Sequence, residues 1–324
     1  MVDGFGRRIT YARLSVTDRC DLRCRYCMAE RMQFLPKREI LTIEEMVELS
    51  DILIRRGVRK IRLTGGEPLV RKGVMELVRA LGQRLGAGLD ELVLTTNGTR
   101  LERFAAELHD AGVRRINVSL DSRRPERFAY ITRGGELDQV LRGIDAALAP
   151  GLAIKVNMVA LAGINEEEIE DMLRWCAAMA IDLTLIETMP LGEVEQDRTA
   201  HYLPLDLVKR RLEERFTLVP NTLRTGGPSR YHDVAELRSR IGFITPLTSN
   251  FCDGCNRIRI AATGTVYGCL GHDQKVELRD ALRSASTSAV DDLLDRLLAD
   301  KPRRHQFQIG GAPAVARHLS VTGG

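Results

Sequence analysis

The chain predicts an α/β fold: an incomplete (βα)6 barrel of the triosephosphate-isomerase type, followed by a small C-terminal α+β domain. Three observations lead there. Apolar runs of strand length alternate with amphipathic helical stretches from the N-terminus to about residue 220, and consecutive βα units with right-handed crossovers curl a parallel sheet towards a barrel. Six such units are legible, short of the eight that close a full barrel, which implies an open shape with a lateral mouth that a second domain could cover. The polar residues that interrupt the apolar runs gather at the C-terminal ends of the strands, the edge at which parallel α/β structures bind ligands.

Taken in order, the first strand (12–16) runs into a loop holding Cys20, Cys24 and Cys27. A helix then begins at Thr42, where Thr42 and Glu45 form a capping box. The second strand (60–63) ends in Thr64-Gly65-Gly66-Glu67-Pro68, and the third (91–95) in Thr95-Thr96-Asn97-Gly98. The fourth (115–120) ends at Ser119-Leu120-Asp121, and the fifth (153–159) carries Lys155 and Asn157. A helix from near Asn165 to about Met179 precedes the sixth strand (183–187), which ends in Glu187-Thr188-Met189-Pro190. After Thr217 the alternation breaks down in a loop-rich stretch containing Gly226, Gly227 and Pro228, so a boundary near residue 230 divides the chain into 1–230 and 231–324. The second part holds short strands around 258–261 and 265–267, helices near 276–284 and 288–299, and a tail from Pro302.

The cysteines point to chemistry. Cys20, Cys24 and Cys27 stand as C-x3-C-x2-C, and Cys252, Cys255 and Cys269 as C-x2-C-x13-C. Thiolates bind soft metals and iron–sulfur clusters, and a structural zinc site is normally closed by a fourth Cys or His. Two sets that each stop at three suggest two clusters, each with an open iron able to hold a substrate or cofactor. Zinc completed by a histidine remains the alternative, more so for the second set, because C-x2-C is a common zinc half-site. For the first set the nearest downstream histidine is His109. Cys176, beside Trp175 in a helical run, reads as a small core residue.

With 324 residues, 44% of them hydrophobic and 28% charged, and a formal net charge of +4, the chain has the composition of a globular protein without an electrostatic commitment to nucleic acid. No apolar stretch reaches the roughly 18 residues of a membrane span, and residues 1–9 lack the apolar core of a signal peptide. Cysteines spaced as motifs then favour a reducing cytoplasm.

These residues resemble the radical S-adenosylmethionine enzymes, whose C-x3-C-x2-C loop follows the first strand and whose Gly-Gly-Glu motif follows the second. The resemblance extends over nearly the whole chain to the GTP 3′,8-cyclases of molybdenum cofactor biosynthesis. It is carried by Cys20-Asp21-Leu22-Arg23-Cys24-Arg25-Tyr26-Cys27-Met28, by Ile61-Arg62-Leu63-Thr64-Gly65-Gly66-Glu67-Pro68-Leu69, by Cys252-Asp253-Gly254-Cys255-Asn256-Arg257-Ile258-Arg259 with Cys269, and by Gly323-Gly324. Ala29 stands where the cluster loop of that family often has proline; no ligand is lost.

The resemblance implies that Cys20, Cys24 and Cys27 hold a [4Fe–4S] cluster that binds S-adenosylmethionine and cleaves it reductively. Tyr26, Gly66, Ser119 and Met189 are implied to line that cofactor, the glycines lacking side chains that would block its approach. A second [4Fe–4S] cluster on Cys252, Cys255 and Cys269 is implied to bind the guanine of GTP. Arg13, Arg62, Thr95, Lys155, Arg257 and Arg259 are implied GTP contacts, since arginine matches phosphate oxygens with a planar fork. Arg13 and Arg62 stand inside apolar strands, where an unpartnered guanidinium is costly, so they face an anion or a wet cavity unless they emerge on the solvent side of the sheet. Arg257, Arg259, Gly323 and Gly324 are the implied catalytic group, the double glycine threading into the site. The same resemblance implies a homodimer and a functional partner in cyclic pyranopterin monophosphate synthase, and leaves the electron donor unknown. Two rivals stay open on sequence: a peptide-modifying radical enzyme with an auxiliary cluster, and a zinc-dependent nucleic-acid-binding protein.

Overall fold

The computed structural model describes residues 1–192, 199–284, 286–310 and 313–323. Its first six strands are β1 (Tyr11–Ser15), β2 (Lys60–Thr64), β3 (Glu91–Thr96), β4 (Arg115–Ser119), β5 (Ala153–Ala160) and β6 (Asp182–Glu187), each paired in parallel with the next. Between and after them run α1 (Ile43–Arg55), α2 (Val74–Gly82), α3 (Leu101–Asp110), α4 (Pro125–Thr132), α5 (Leu137–Leu148), α6 (Ile169–Ala178) and α7 (Leu205–Glu213). α1 shows why these helices form where they do. Thr42 and Glu45 exchange capping-box hydrogen bonds at its start, and Met46, Leu49 and Leu53 recur on one face and are buried. Each such side chain contributes about 1.5–3 kcal/mol on leaving water.

The remaining strands are β7 (Leu218–Asn221), β8 (Arg230–Val234), β9 (Ser239–Ile244), β10 (Arg257–Ile260), β11 (Thr265–Tyr267) and β12 (Lys275–Glu277), followed by α8 (Arg279–Arg283), α9 (Thr287–Ala299) and α10 (Leu319–Thr322). They form no sheet of their own. β9 lies parallel beside β6, and β10 lies parallel beside β1. Eight parallel strands therefore stand in the order β10-β1-β2-β3-β4-β5-β6-β9, within one open sheet that ends in the antiparallel strands β12 and β7. The barrel is incomplete, as the sequence implies, but its parallel portion is two strands longer than the six legible units. A division near residue 230 falls at the first residue of β8, which pairs with β7, so both parts of the chain share the same sheet. Among the described residues no helix is long and apolar enough to cross a membrane.

Strand periodicity sorts the two faces of this sheet. Ala12, Leu14, Ile61, Leu63, Leu92, Leu94, Ile116 and Val118 join the helices in one continuous apolar core. The alternate positions carry Tyr11, Arg13, Lys60, Arg62, Thr95, Asn117, Lys155, Asn157, Arg257 and Arg259, and these face the interior of the barrel.

Candidate active site

The first cysteine loop is pinned from both sides. Val16 N–H donates to the Thr64 carbonyl at 3.0 Å, Gly66 N–H to Thr17 at 2.9 Å and Glu67 N–H to Arg19 at 2.8 Å, so the loop entrance continues the β1–β2 pairing. A Cβ on Gly66 would collide with the Arg19 carbonyl. The absence of a side chain at Gly66 thus admits the loop's own main chain, whereas the resemblance implies an approach to the cofactor. On the other side Arg23 and Arg25 N–H groups bond the Thr132 and Ile131 carbonyls at 3.1 and 3.0 Å.

Burial pushes the Cys20 thiol up to about 12, with Glu67, Asp21 and Cys27 adding to the shift. Burial also raises Cys24 well above its ordinary value, with Cys27, Asp121 and Cys20 contributing. The three sulfurs therefore share one site with carboxylates around it. Glu67 is fully buried and accepts from Leu69 N–H, Asn97 N–H and Thr96 Oγ1 at 3.0, 2.7 and 2.8 Å; burial raises its pKa to about 7. Asp121, raised by burial to about 6, accepts from Tyr26 Oη at 2.7 Å and Val159 N–H at 2.8 Å. Burial disfavours free thiolates at Cys20 and Cys24, so a cationic iron–sulfur centre is what would hold them deprotonated, and three donors leave one iron of a [4Fe–4S] cluster open. This donor set fits the cluster. Among the described residues no group of three or more His, Cys, Asp or Glu side chains is arranged around a single metal ion.

Inside the barrel lies a cavity of about 1060 Å³ of atom-free space, its open mouth included. Arg13, Arg62, Lys155, Arg257 and Arg259 line it, and among the described residues no carboxylate does. The register explains the convergence: Arg13 stands beside Arg62 on one side and Arg259 on the other, while Tyr11 stands between Lys60 and Arg257. Lys60 is neutralised by Glu91 at 2.5 Å, and so is Arg115. The five lining cations have no such partner among the described residues. Burial and then Arg62 and Arg115 pull Lys155 down to about 7. Burial and then Arg257 pull Arg259 down to about 10. Arg13 is lowered by burial and then by Arg259, and its buried Nε has no hydrogen-bond partner among the described residues. Burial would raise Tyr11, but Arg62, Arg13, Lys60 and Arg257 outweigh it and bring the phenol to about 7; its oxygen accepts from Arg62 Nε at 2.5 Å. So many positive charges in one enclosure require an anion.

Cys252, Cys255 and Cys269 form part of the wall of this cavity. Burial raises Cys252, with Cys269 and Cys255 adding to it. Burial would raise Cys255 too, but Arg257 and Lys301 outweigh it and bring the thiol to about 7. These three donors likewise fit a cluster with one open iron, and they stand in the wall of the cationic cavity. Phe251, His305 and Phe307 complete that wall, the last two stacked at 4.2 Å between ring centroids.

The C-terminal segment joins the two cysteine sites. Ala314 N–H bonds the Pro190 carbonyl and Gly192 N–H the Val315 carbonyl, each at 2.9 Å. Leu191, Val315 and Leu319 form a small apolar cluster on which Cys27, Met189, Leu270 and Phe307 all pack. Beyond α10, Arg259 Nη1 donates to the Gly323 carbonyl and to that of Thr322, the latter at 3.4 Å. A Cβ on Gly323 would collide with the Thr64 side chain at the end of β2.

The structure thus brings Arg13, Arg62, Lys155, Met189, Arg257, Arg259, Cys252, Cys255 and Cys269 to one cavity. Thr95 stands behind its wall, where Oγ1 accepts from Arg62 Nη1 at 2.7 Å. Cys20, Cys24, Cys27, Tyr26 and Gly66 belong to the loop above β1 and β2, and Ser119 ends β4 beside Asn157. Gly323 reaches Arg259; Gly324 lies outside the described residues. Tyr11, Asn117 and Lys301 join the site without having been singled out by the sequence. For Tyr11 and Asn117 a signal exists, since both lie on the inward period of their strands.

Residues 14–176 match the Radical SAM superfamily, and residues 181–307 match the Molybdenum Cofactor Synthesis C family. The "GTP 3',8-cyclase" of Rhizobium meliloti (strain 1021) is 58% identical over 100% of this chain and 94% of its own length. That of Erythrobacter litoralis (strain HTCC2594) is 57% identical over 100% and 98%. Among solved structures, Streptococcus suis SuiB bound to S-adenosylmethionine shares the fold at 14% identity and a TM-score of 0.62, covering 90% of this chain and 67% of that one. Full-length identity at this level sets aside both the zinc-dependent nucleic-acid-binding reading and the peptide modifier. The chain belongs to the GTP 3′,8-cyclase family, within the radical S-adenosylmethionine superfamily.

Proposed function

We propose that this protein converts GTP into (8S)-3′,8-cyclo-7,8-dihydroguanosine 5′-triphosphate, the first step of molybdenum cofactor biosynthesis. The observation that carries this reading is the cavity lined by five cations and, among the described residues, no carboxylate, with a cysteine triplet in its wall. When bound, the first cluster and S-adenosylmethionine supply a 5′-deoxyadenosyl radical that takes the ribose 3′ hydrogen. The C3′ carbon of the substrate then adds to guanine C8, and reduction and protonation complete the product.

The chain's own contribution is placement. Arg13, Arg62, Lys155, Arg257 and Arg259 hold the triphosphate, and Thr95 keeps the Arg62 fork aimed. Cys252, Cys255 and Cys269 hold the cluster that receives the base. Tyr26, Gly66, Ser119 and Met189 line the cofactor, with Tyr26 fixed by Asp121. Gly323 stands beside Arg259 and helps to exclude water from the reacting face, and Gly324 is assigned to the same catalytic tail. Reacting carbons must be held at about 3–3.5 Å for such a step to compete. The part up to about residue 230 serves radical formation, and 231–324 carries the second cluster and the tail. A homodimer, a cytoplasmic setting and product transfer to cyclic pyranopterin monophosphate synthase complete the reading.

The test is anaerobic reconstitution with iron and sulfide, then turnover with S-adenosylmethionine, dithionite and GTP deuterated at C3′. Deuterium in the 5′-deoxyadenosine, with about eight irons per chain, is the expected result. Cleavage without deuterium transfer would assign the radical to another position or substrate.

A further inference from the structure

The second cysteine triplet is drawn from two segments, the Cys252–Cys255 loop before β10 and Cys269 after β11, and a buried lysine joins them. Lys301, beyond the end of α9, is 2% exposed. Its Nζ donates to the Gly268 carbonyl and to the Arg257 carbonyl, the latter at 3.2 Å, and lies 3.7 Å from Cys255 Sγ. One carbonyl precedes Cys269 by one residue, and the other follows Cys255 by two. A single ammonium thus ties both cysteine segments. None of its partners among the described residues is a carboxylate, so the charge that offsets this buried cation is that of the Cys255 thiolate it faces.

Two arginines complete the pattern. Arg7 Nη1 donates to the Cys252 carbonyl at 2.9 Å and to Arg303 at 2.8 Å, while its Nε is paired with Asp3 at 2.6 Å. Arg317 Nη2 donates to the carbonyls of Cys269, Leu270 and His272 at 3.2, 2.5 and 2.8 Å. Each cysteine of the second triplet is held by a cation, and of these three Lys301 is the one that directs its charge at a sulfur, where Arg257 acts beside it on Cys255.

We propose that Lys301 is a positioning residue for the second cluster: its ammonium fixes the Cys255 and Cys269 segments relative to one another and keeps that cluster at a higher reduction potential than an uncharged side chain would. This rests on the reading of the second triplet as a cluster site. The physical basis is that a fixed positive charge beside a ligating sulfur favours the more negative, reduced state, and that neighbours of the ligands tune a cluster as the ligands do. It also leaves the site less anionic, which suits a wall shared with a triphosphate cavity.

The test uses the full chain, reconstituted anaerobically, with Cys20, Cys24 and Cys27 all changed to alanine so that only the second cluster is read. Lys301→Gln keeps hydrogen-bond donors without charge, Lys301→Met removes both, and Lys301→Arg restores charge. Midpoint potentials are read by electron paramagnetic resonance during a redox titration, with iron and sulfide counted in parallel. Expected are about four irons per chain in the parent, a lower midpoint potential in Lys301→Gln and its recovery in Lys301→Arg. Failure of Lys301→Met to hold iron, while Lys301→Arg does hold it, supports the positioning role. Loaded variants that all keep the parent potential overturn the proposal alone, whereas a parent without any cluster signal overturns the second-cluster reading beneath it.

Discussion

Cys20, Cys24 and Cys27 occupy one loop after β1, and among the described residues the carboxylates Asp21, Glu67 and Asp121 act on the sulfurs of Cys20 and Cys24. Cys252, Cys255 and Cys269 come from two segments of chain, and Cys255 answers to Arg257 and Lys301. The same ligand chemistry has thus been built into opposite fields. Carboxylates near a cluster oppose the addition of an electron and keep it a strong reductant, whereas cations stabilise the added charge and draw in anionic ligands. The first site is suited to giving an electron away. The second is suited to standing beside a triphosphate.

The largest effect that bears on this contrast comes from removing one ligand at each site. Cys24→Ala is expected to reduce S-adenosylmethionine cleavage to the level of a cluster-free control, with or without GTP. Cys255→Ala is expected to retain uncoupled cleavage while losing GTP-dependent product; equal loss of both in a chromatographic assay of 5′-deoxyadenosine would erase the distinction between the sites. Deleting Gly323 and Gly324 comes next. Iron content and GTP binding persist, and product formation falls about a hundredfold, the scale of a small misplacement of reacting groups. A truncated chain with full activity would remove the tail from the second site.

A smaller effect follows from protonation. Raising pH through 7 removes the Lys155 charge and creates one on Tyr11, since both groups lie at about 7 in the free protein. A bound triphosphate favours protonation of each, so binding takes up protons and weakens as pH rises. Calorimetric GTP affinity is expected to be about tenfold or more lower at about pH 8.5 than at about pH 6.5. Tyr11→Phe would flatten that slope by removing one of the two groups. The smallest effect is that of the seventh cysteine. Cys176→Ala should keep every iron and lose only about 1 kcal/mol of stability by thermal unfolding, because Cys176 is buried in the apolar core with Leu173 and Leu183.

Much of this is legible in the chain. The first six strands, the capping box at Thr42 and both cysteine triplets are local patterns, and arginines inside apolar strands mark an inward polar face by their cost alone. β9 is not legible. Its sequence Ser239-Arg240-Ile241-Gly242-Phe243-Ile244 is interrupted by Gly242 and follows no helix of a βα unit, and its place is fixed by pairing with β6, more than fifty residues earlier. Tyr11 escapes notice because it is the first residue of β1, just outside the apolar run that marks that strand. Arg7, Lys301 and Arg317 stand in polar, loop-like sequence, where a charge reads as solvated until tertiary packing encloses it. Gly66 is legible as a close approach, but its partner, the Arg19 carbonyl, is set by how the cysteine loop folds back over β2.

The pairing of β10 with β1 sets an order on biosynthesis. β1 gains its β2 neighbour once residue 64 has been made, yet its other edge stays open until residues 257–260 have left the ribosome. An unpaired edge is an invitation to wrong partners, and N-terminal portions of a chain fold first during synthesis. Closure of that edge and assembly of the second cysteine site are therefore one late event, and a chain cut short before β10 carries the radical-forming loop on a sheet with an unprotected flank.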